Sequence, residues 1–134
     1  MSRSVPRWIW WGASAAIAVW LLWMTLRPNP TVAGDLEPLT GSAVGRAVPA
    51  QVLIGLAGNV AVFVPLGVTL ALALGKRPTP RRLAWATLLG AGLSLFIEIA
   101  QIALPSRVAS AGDLALNALG TALGAASGIG LDRR

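Results

Sequence analysis

The stretch that decides the fold is residues 83–104, LAWATLLGAGLSLFIEIAQIAL, an apolar run that contains one carboxylate, Glu98. As a helix rising 1.5 Å per residue, the run is long enough to cross a hydrocarbon core of about 30 Å. A charge inside such a helix costs about 2.5–3.5 kcal/mol near the bilayer centre and less near its surface. An ionisable residue at this depth is therefore a candidate functional residue.

The composition of the chain is that of an integral membrane protein. Of its 134 residues, 55% are hydrophobic and 12% are charged, whereas soluble domains carry about 25% charged residues. The chain has no Cys and no His, which excludes thiol catalysis, Cys/His metal sites and a Ser-His-Asp triad. The net charge of +6 does not indicate nucleic acid binding, because the positive residues lie between apolar segments instead of on one polar face.

Three further apolar segments, 8–26, 52–74 and 114–131, resemble 83–104 in length. In lipid each must be helical, because every backbone polar group needs a partner within its own segment. The sequence thus predicts an all-α integral membrane protein, a four-helix transmembrane bundle that forms a single domain over 1–134. The first segment is too long and too rich in Trp for a cleaved signal peptide, so we expect it to be retained. The Pro-rich segment 27–51 is predicted to be an irregular outer loop.

The distribution of Lys and Arg predicts the orientation, because cytoplasmic loops carry an excess of positive residues. A cytoplasmic N-terminus puts Arg3, Arg7, Lys76, Arg77, Arg81, Arg82, Arg133 and Arg134 inside, and Arg27, Arg46 and Arg107 outside. Both termini are therefore expected in the cytoplasm. The basic segment 75–82 is interpreted as a topology signal with some attraction to anionic lipid.

Polar side chains from three segments are predicted to share one layer near the outer surface. At 1.5 Å per residue, Asn59 lies about 10 Å deep, Glu98 about 9 Å, Gln101 about 4–5 Å and Asn117 about 6 Å. Gly90, Ser94, Glu98 and Gln101 recur at helical spacing and should form one stripe. The candidate binding residues are Asn59, Glu98, Gln101, Arg107, Asp113 and Asn117.

Each candidate also has a simpler interpretation. Asn59 and Asn117 could only tie helices together through hydrogen bonds. Asp113 could belong to the start of a helix, since residues 110–113 have capping-box spacing. Gln101 and Arg107 could be merely solvated, and Glu98 could be structural.

Small residues and one proline are expected to shape the packing. Gly120, Gly124 and Gly128 form a small-xxx-small series, which lets helix backbones approach closely and could also mediate a homo-oligomer. Pro65 cannot donate a hydrogen bond to the carbonyl of Ala61, so the second helix is expected to kink just below Asn59. That kink could shape the floor of a pocket.

These motifs resemble the VanZ-like membrane family. The matching strings are NVAVFVPLG from Asn59 to Gly67, SLFIEIAQ from Ser94 to Gln101, and Arg107 followed by DLALNALG from Asp113 to Gly120. The family's pattern often has an acidic residue shortly after the Arg, where this chain has Val108-Ala109-Ser110. The resemblance covers about residues 59–124 and makes Pro65, Gly67, Gly120 and Gly124 structural motif positions.

The resemblance implies a multi-pass protein of the bacterial plasma membrane with a role in the cell envelope. The family takes its name from a protein that raises resistance to the lipoglycopeptide teicoplanin. We expect membrane lipid as a partner and an outward-facing site for a lipid headgroup, glycan or lipoglycopeptide. Arg107 would pair with a phosphate or carboxylate, and neither a cofactor nor nucleic acid is expected.

Two other functions stay open from the sequence. In an intramembrane enzyme, Glu98 would be a general acid or base and Asp113 a second carboxylate, but the chain offers no nucleophile-base pair of the usual type. Two carboxylates could also hold a divalent ion with amide oxygens. In a small transporter Glu98 would carry protons, yet no ionisable residue lies between Glu98 and Leu83 to relay them. The sequence therefore favours binding over catalysis or transport.

Overall fold

The protein consists of four long helices in a computed structural model that describes residues 5–26, 50–103 and 111–133, with the backbone alone for 50–52. The helices are α1 (Arg7–Leu26), α2 (Ala50–Leu74), α3 (Thr79–Ile102) and α4 (Ala111–Asp132). Each contains a stretch long and apolar enough to span a membrane. Helices are the only regular elements in these ranges, so the predicted all-α fold class is confirmed.

The four helices form one bundle, and each of its two ends can be recognised from the helix termini that lie there. At the polar end, where α1 and α3 finish and α2 and α4 begin, Gln101 contacts Thr25 and Asn59 contacts Asp113. At the termini end, where α1 and α3 begin, Arg7 contacts Ala73 at the end of α2. The polar end is the predicted outer end, and its orientation in the membrane stays a prediction.

Glycines bring α2 and α4 together as parallel neighbours. A Cβ added at Gly120 would collide with the carbonyl oxygen of Val60, and one at Gly124 would collide with that of Val64. A Cβ at Gly128 would lie 2.8 Å from the carbonyl oxygen of Val68. Only glycine therefore permits this approach, and the series predicted from the sequence packs along α2 within the same chain. A homo-oligomer through that face, which α2 already covers, would require the two helices to separate.

Gly67 and Gly90 provide the same close approach around Thr121 of α4. A Cβ at Gly67 would meet the Thr121 carbonyl oxygen, and a Cβ at Gly90 would meet its hydroxyl. The fully buried Thr121 therefore sits between α2 and α3, and Gly67 lies at a close contact between α2 and α4.

Large apolar side chains lie both in the core of the bundle and on its outer surface. Phe63, Leu66, Leu70 and Ile97 are buried in the core together with Leu21 of α1. The outside of the bundle carries Trp8, Val19, Trp23, Leu88, Phe96, Ile99, Ile102 and Leu131, all of them more than half exposed. An exposed apolar surface of this kind is suited to lipid, as the composition predicts.

The third helix differs from its predicted bounds. It begins at Thr79 and not at 83, because helical geometry continues outside the apolar run and Pro80 is well tolerated in a first helical turn. Arg82, predicted to be a loop residue, is therefore helical and buried. The first helix was predicted over 8–26, the second over 52–74 and the fourth over 114–131, and each of these lies within three residues of the observed bounds.

Pro65 lies inside α2, which continues through it as a helix. Its ring is on the exposed side of the helix, so the side chain itself does not line the interior. Thr69, one turn later, donates to the carbonyl oxygens of Pro65 and Leu66, both at 3.1 Å. The kink expected at Pro65, and its effect on a pocket floor, stay predictions.

Candidate binding site at the polar end

The structure brings five of the six candidate residues to the polar end. Asn59 comes from α2, Glu98 and Gln101 come from α3, and Asp113 and Asn117 come from α4. Glu98 lies four residues before the end of α3, about 6 Å inside it, and Asn117 lies about 9 Å inside α4. Arg107, the sixth candidate, lies outside the described residues.

The stripe predicted for α3 is confirmed. Gly90, Ser94, Glu98 and Gln101 are all buried against the other helices, while Leu95, Phe96 and Ile99 on the opposite side are exposed. The polar face of α3 therefore points into the bundle and its apolar face points to lipid. This arrangement holds Glu98, 8% exposed, among protein side chains.

Asn59 connects α2 to α4. Its side-chain nitrogen donates to Oδ1 of Asp113 over 2.7 Å, and the acceptor character of a carboxylate fixes which end of the amide faces it. Asp113 lies in the first turn of α4, where the helix dipole favours a negative charge. The carboxylate thus forms an interhelical bond from within the helix, which begins two residues earlier at Ala111.

Asn117 connects α4 to α3. Its side-chain nitrogen lies 2.8 Å from the hydroxyl oxygen of Ser94 and donates to it. Thr121, one turn further along α4, donates to the backbone carbonyl of Asn117 over 2.8 Å. The two bonds fix both the side chain and the backbone of Asn117 in the interior, where this residue is 7% exposed.

The side-chain oxygen of Asn117, unlike its side-chain nitrogen, has no hydrogen bond to a described residue. Its buried Oδ1 has no hydrogen-bond partner within the described part of the chain, and most buried polar atoms have one. If the amide were turned over, Ser94 could donate to Oδ1, and the nitrogen would then be the atom without a partner. In either orientation one buried polar atom of Asn117 has no hydrogen-bond partner among the described residues.

Gln101 adds α1 to this end of the bundle. Its side-chain nitrogen donates to the backbone carbonyl of Thr25 over 3.2 Å, and a carbonyl can only accept, so this amide orientation is also fixed. Gln101 is therefore held by α1 and is 9% exposed. The interpretation of Gln101 as a merely solvated interfacial residue is wrong.

The resulting site is rich in hydrogen-bond acceptors. All three amide nitrogens face protein acceptors, and each carboxylate oxygen of Glu98 and Asp113 can accept more than one hydrogen bond. Such a site suits a ligand that donates hydrogen bonds, through hydroxyl or ammonium groups. Within the described ranges, no group of three or more His, Cys, Asp or Glu side chains could hold a metal ion.

Sequence reasoning missed a second buried polar cluster at the termini end. Arg82 donates through Nε and one terminal nitrogen to the carbonyl of Ala71, over 3.1 and 2.8 Å, and pairs with Asp132 at 2.8 Å. Ser14 of α1 donates to the hydroxyl of Thr69 over 2.9 Å. The signal for Arg82 was present, since the four-residue spacing from Glu98 through Ser94 and Gly90 continues through residue 86 to Arg82.

Comparison with known protein families gives a match over most of the chain. The family model described as VanZ/LLP1 matches residues 10–130, which is most of the chain. No significant match was found among curated proteins or among solved structures. The family match confirms the resemblance drawn from the motifs of α2, α3 and α4.

Proposed function

The chain belongs to the VanZ/LLP1 family, and from this premise we propose that it binds the polar headgroup of an amphiphile at the polar end of the bundle. We place it in the bacterial plasma membrane, with the polar end facing outward. The ligand class is a glycan or amine headgroup of an envelope lipid, or a lipoglycopeptide.

The observation that carries this proposal is the unpartnered polar atom of Asn117. A buried acceptor without a hydrogen bond costs about 1–3 kcal/mol. With the nitrogen of Asn117 donating to Ser94, its Oδ1 is such an acceptor among the described residues. A hydroxyl or ammonium group of a ligand would donate to it and remove this penalty. Glu98, one turn from Ser94 on the same buried stripe, supplies a carboxylate for a second and stronger hydrogen bond.

The apolar part of such a ligand has a surface beside the site. Phe96, Ile99 and Ile102 lie on the outer side of α3, at the level of Glu98 along the helix, and are each 58–70% exposed. An acyl chain could lie along them within the bilayer while the headgroup enters between the helices. A lipoglycopeptide combines sugars with an acyl chain, so its capture here would account for a contribution to teicoplanin-type resistance.

The proposal can be tested by photo-crosslinking in membranes that contain the full-length protein. Headgroup-labelled phosphatidylethanolamine, a labelled glycolipid and labelled teicoplanin would be compared on wild type, Glu98→Gln and Asn117→Leu. Ser127→Ala is the control, because among the described residues this exposed α4 hydroxyl donates only to the Leu123 carbonyl of its own helix. We expect at least one probe to lose about tenfold in affinity with either site variant, equivalent to about one hydrogen bond.

Two results would contradict the proposal. Labelling of wild type and Glu98→Gln to the same extent by every probe would remove Glu98 from the site. Chemical conversion of a probe by wild type, lost in Glu98→Gln, would replace binding by catalysis.

A further inference from the structure

We propose that a second site, at the termini end of the bundle, binds the phosphate of an anionic phospholipid. An open cavity of about 540 Å³ lies there between α1 and the ends of α2 and α4. Its walls include Val5, Arg7, Trp10, Leu72, Lys76 and Leu131. The site combines two cations with apolar surface.

Arg7 is held in a fixed position over the end of α2. Its Nε donates to the carbonyl of Ala73 over 3.0 Å. Gly75 lies directly beneath it with a positive φ of 42°, and a Cβ there would come within 2.7 Å of Nε. The two terminal nitrogens of the guanidinium carry four further N–H groups, in a geometry that matches phosphate oxygens. The bond to Ala73 thus orients this cation in advance.

The charges around the cavity favour an anion. Asp132 also lines it, but its Oδ2 pairs with Arg82 at 2.8 Å. Arg82 directs its remaining bonds to the Ala71 carbonyl. Among the described lining residues Asp132 is the only acid, and it is compensated by Arg82, so the positive charges of Arg7 and Lys76 remain for a ligand.

The apolar walls point to a lipid instead of a free anion. Trp10, Leu72 and Leu131 flank the cations, and Trp is typical of the membrane–water interface. A phospholipid would place its phosphate between Arg7 and Lys76 and its glycerol and upper acyl carbons against these side chains. An inorganic anion would leave this apolar surface without a contact.

This site is independent of the one proposed at the polar end. Gly75, the residue after the end of α2, follows Asn59 by sixteen residues, which corresponds to about 24 Å at the rise of a helix. Arg77, in the turn after α2, and Arg81, in the first turn of α3, lie close by in sequence, are exposed and do not line the cavity. They offer a matched control with the same loss of charge at the same end of the bundle.

The test is native mass spectrometry of the full-length protein released from detergent with bound lipid. Wild type, Arg7→Gln/Lys76→Gln and Arg77→Gln/Arg81→Gln would each be titrated with phosphatidylglycerol, phosphatidylcholine, glycerol phosphate and inorganic phosphate. We expect wild type to prefer phosphatidylglycerol over the other three. The cavity double variant should lose about 30-fold in phosphatidylglycerol affinity, equivalent to about 1 kcal/mol for each cation. The control Arg77→Gln/Arg81→Gln should lose less than twofold.

Three outcomes would overturn the proposal. An equal loss in both double variants would mean unspecific attraction to the basic end. Binding of inorganic phosphate or glycerol phosphate as tightly as the lipid would assign the cavity to a free anion. The single variant Lys76→Gln guards against misfolding, since this side chain is exposed. We expect it to lose about fivefold in phosphatidylglycerol affinity, and an affinity unchanged from wild type would also refute the site.

Discussion

Replacing Gly124 by alanine is expected to force α4 away from α2 and to destabilise the bundle. The added methyl group would collide with the backbone carbonyl of Val64. A backbone carbonyl cannot rotate aside as a flexible side chain can, so the helices themselves must move. Because Gly120 and Gly128 lie on the same contact face, the movement also loosens packing along the neighbouring turns.

The magnitude follows from two opposing terms. Overpacking of a tight interior costs typically about 1–3 kcal/mol. Alanine is intrinsically more favourable than glycine inside a helix by about 1 kcal/mol. We therefore expect Gly124→Ala to lower the free energy of unfolding by up to about 2 kcal/mol.

Gly130→Ala is the matched control in the same helix. A Cβ at Gly130 would meet nothing within 4 Å, so this variant carries the intrinsic term without the collision. The difference between the two variants should isolate the contact term, about 1–3 kcal/mol. The free energy of unfolding would be measured by circular dichroism during SDS titration in mixed micelles. If the two variants agree within about 0.5 kcal/mol, the close packing of α2 on α4 is refuted.

Three further predictions concern buried polar contacts and orientation. Arg82→Gln should lower the free energy of unfolding by about 2–4 kcal/mol, because it removes a buried charge-assisted network. Asp132→Asn, at a side chain that is 45% exposed, should lower it by less than about 1 kcal/mol. Equal losses for the two variants in the same SDS titration would contradict this. Ser94→Ala should cost about 1–3 kcal/mol, because Asn117 would lose its only side-chain partner within the described residues, and an unchanged unfolding curve would show that this bond is not formed. A fluorescent reporter fused to either terminus should be fluorescent in the cytoplasm, as the charge distribution predicts, and a reporter that is active only outside the cell would reverse the orientation.

The helices and the buried stripe of α3 could be predicted because both are local properties. The length of an apolar run determines whether it can span a bilayer. A four-residue spacing determines which side chains share a helix face. The spacing alone therefore predicts that residues 94, 98 and 101 share one stripe, and the structure buries them together.

The pairing of the polar residues could not be predicted in the same way. Asn59 and Asp113 are 54 positions apart, and Gln101 and Thr25 are 76 apart. Their contacts depend on how the helices pack, which glycine contacts set across α2, α3 and α4. The sequence placed these residues in one layer by depth, but only the packed bundle shows which atoms remain available to a ligand.

Arg82 shows a different limit of sequence reasoning. The positive-inside rule assigns Arg82 to a loop, because it counts every basic residue near a helix end as a topology signal. In the structure it satisfies the carbonyl of Ala71 and pairs with Asp132, 50 positions away. A basic residue on the buried stripe of its own helix is better interpreted as a packing residue.

The most direct test of the polar-end site is an experimental structure of the protein purified together with lipid from its native membrane. We predict density for a polar headgroup within hydrogen-bond distance, about 2.7–3.2 Å, of the Asn117 side chain, extending towards Glu98. Its apolar part should lie along the exposed face of α3 at Phe96 and Ile99. A layer closed by protein side chains or filled with water alone would contradict the account.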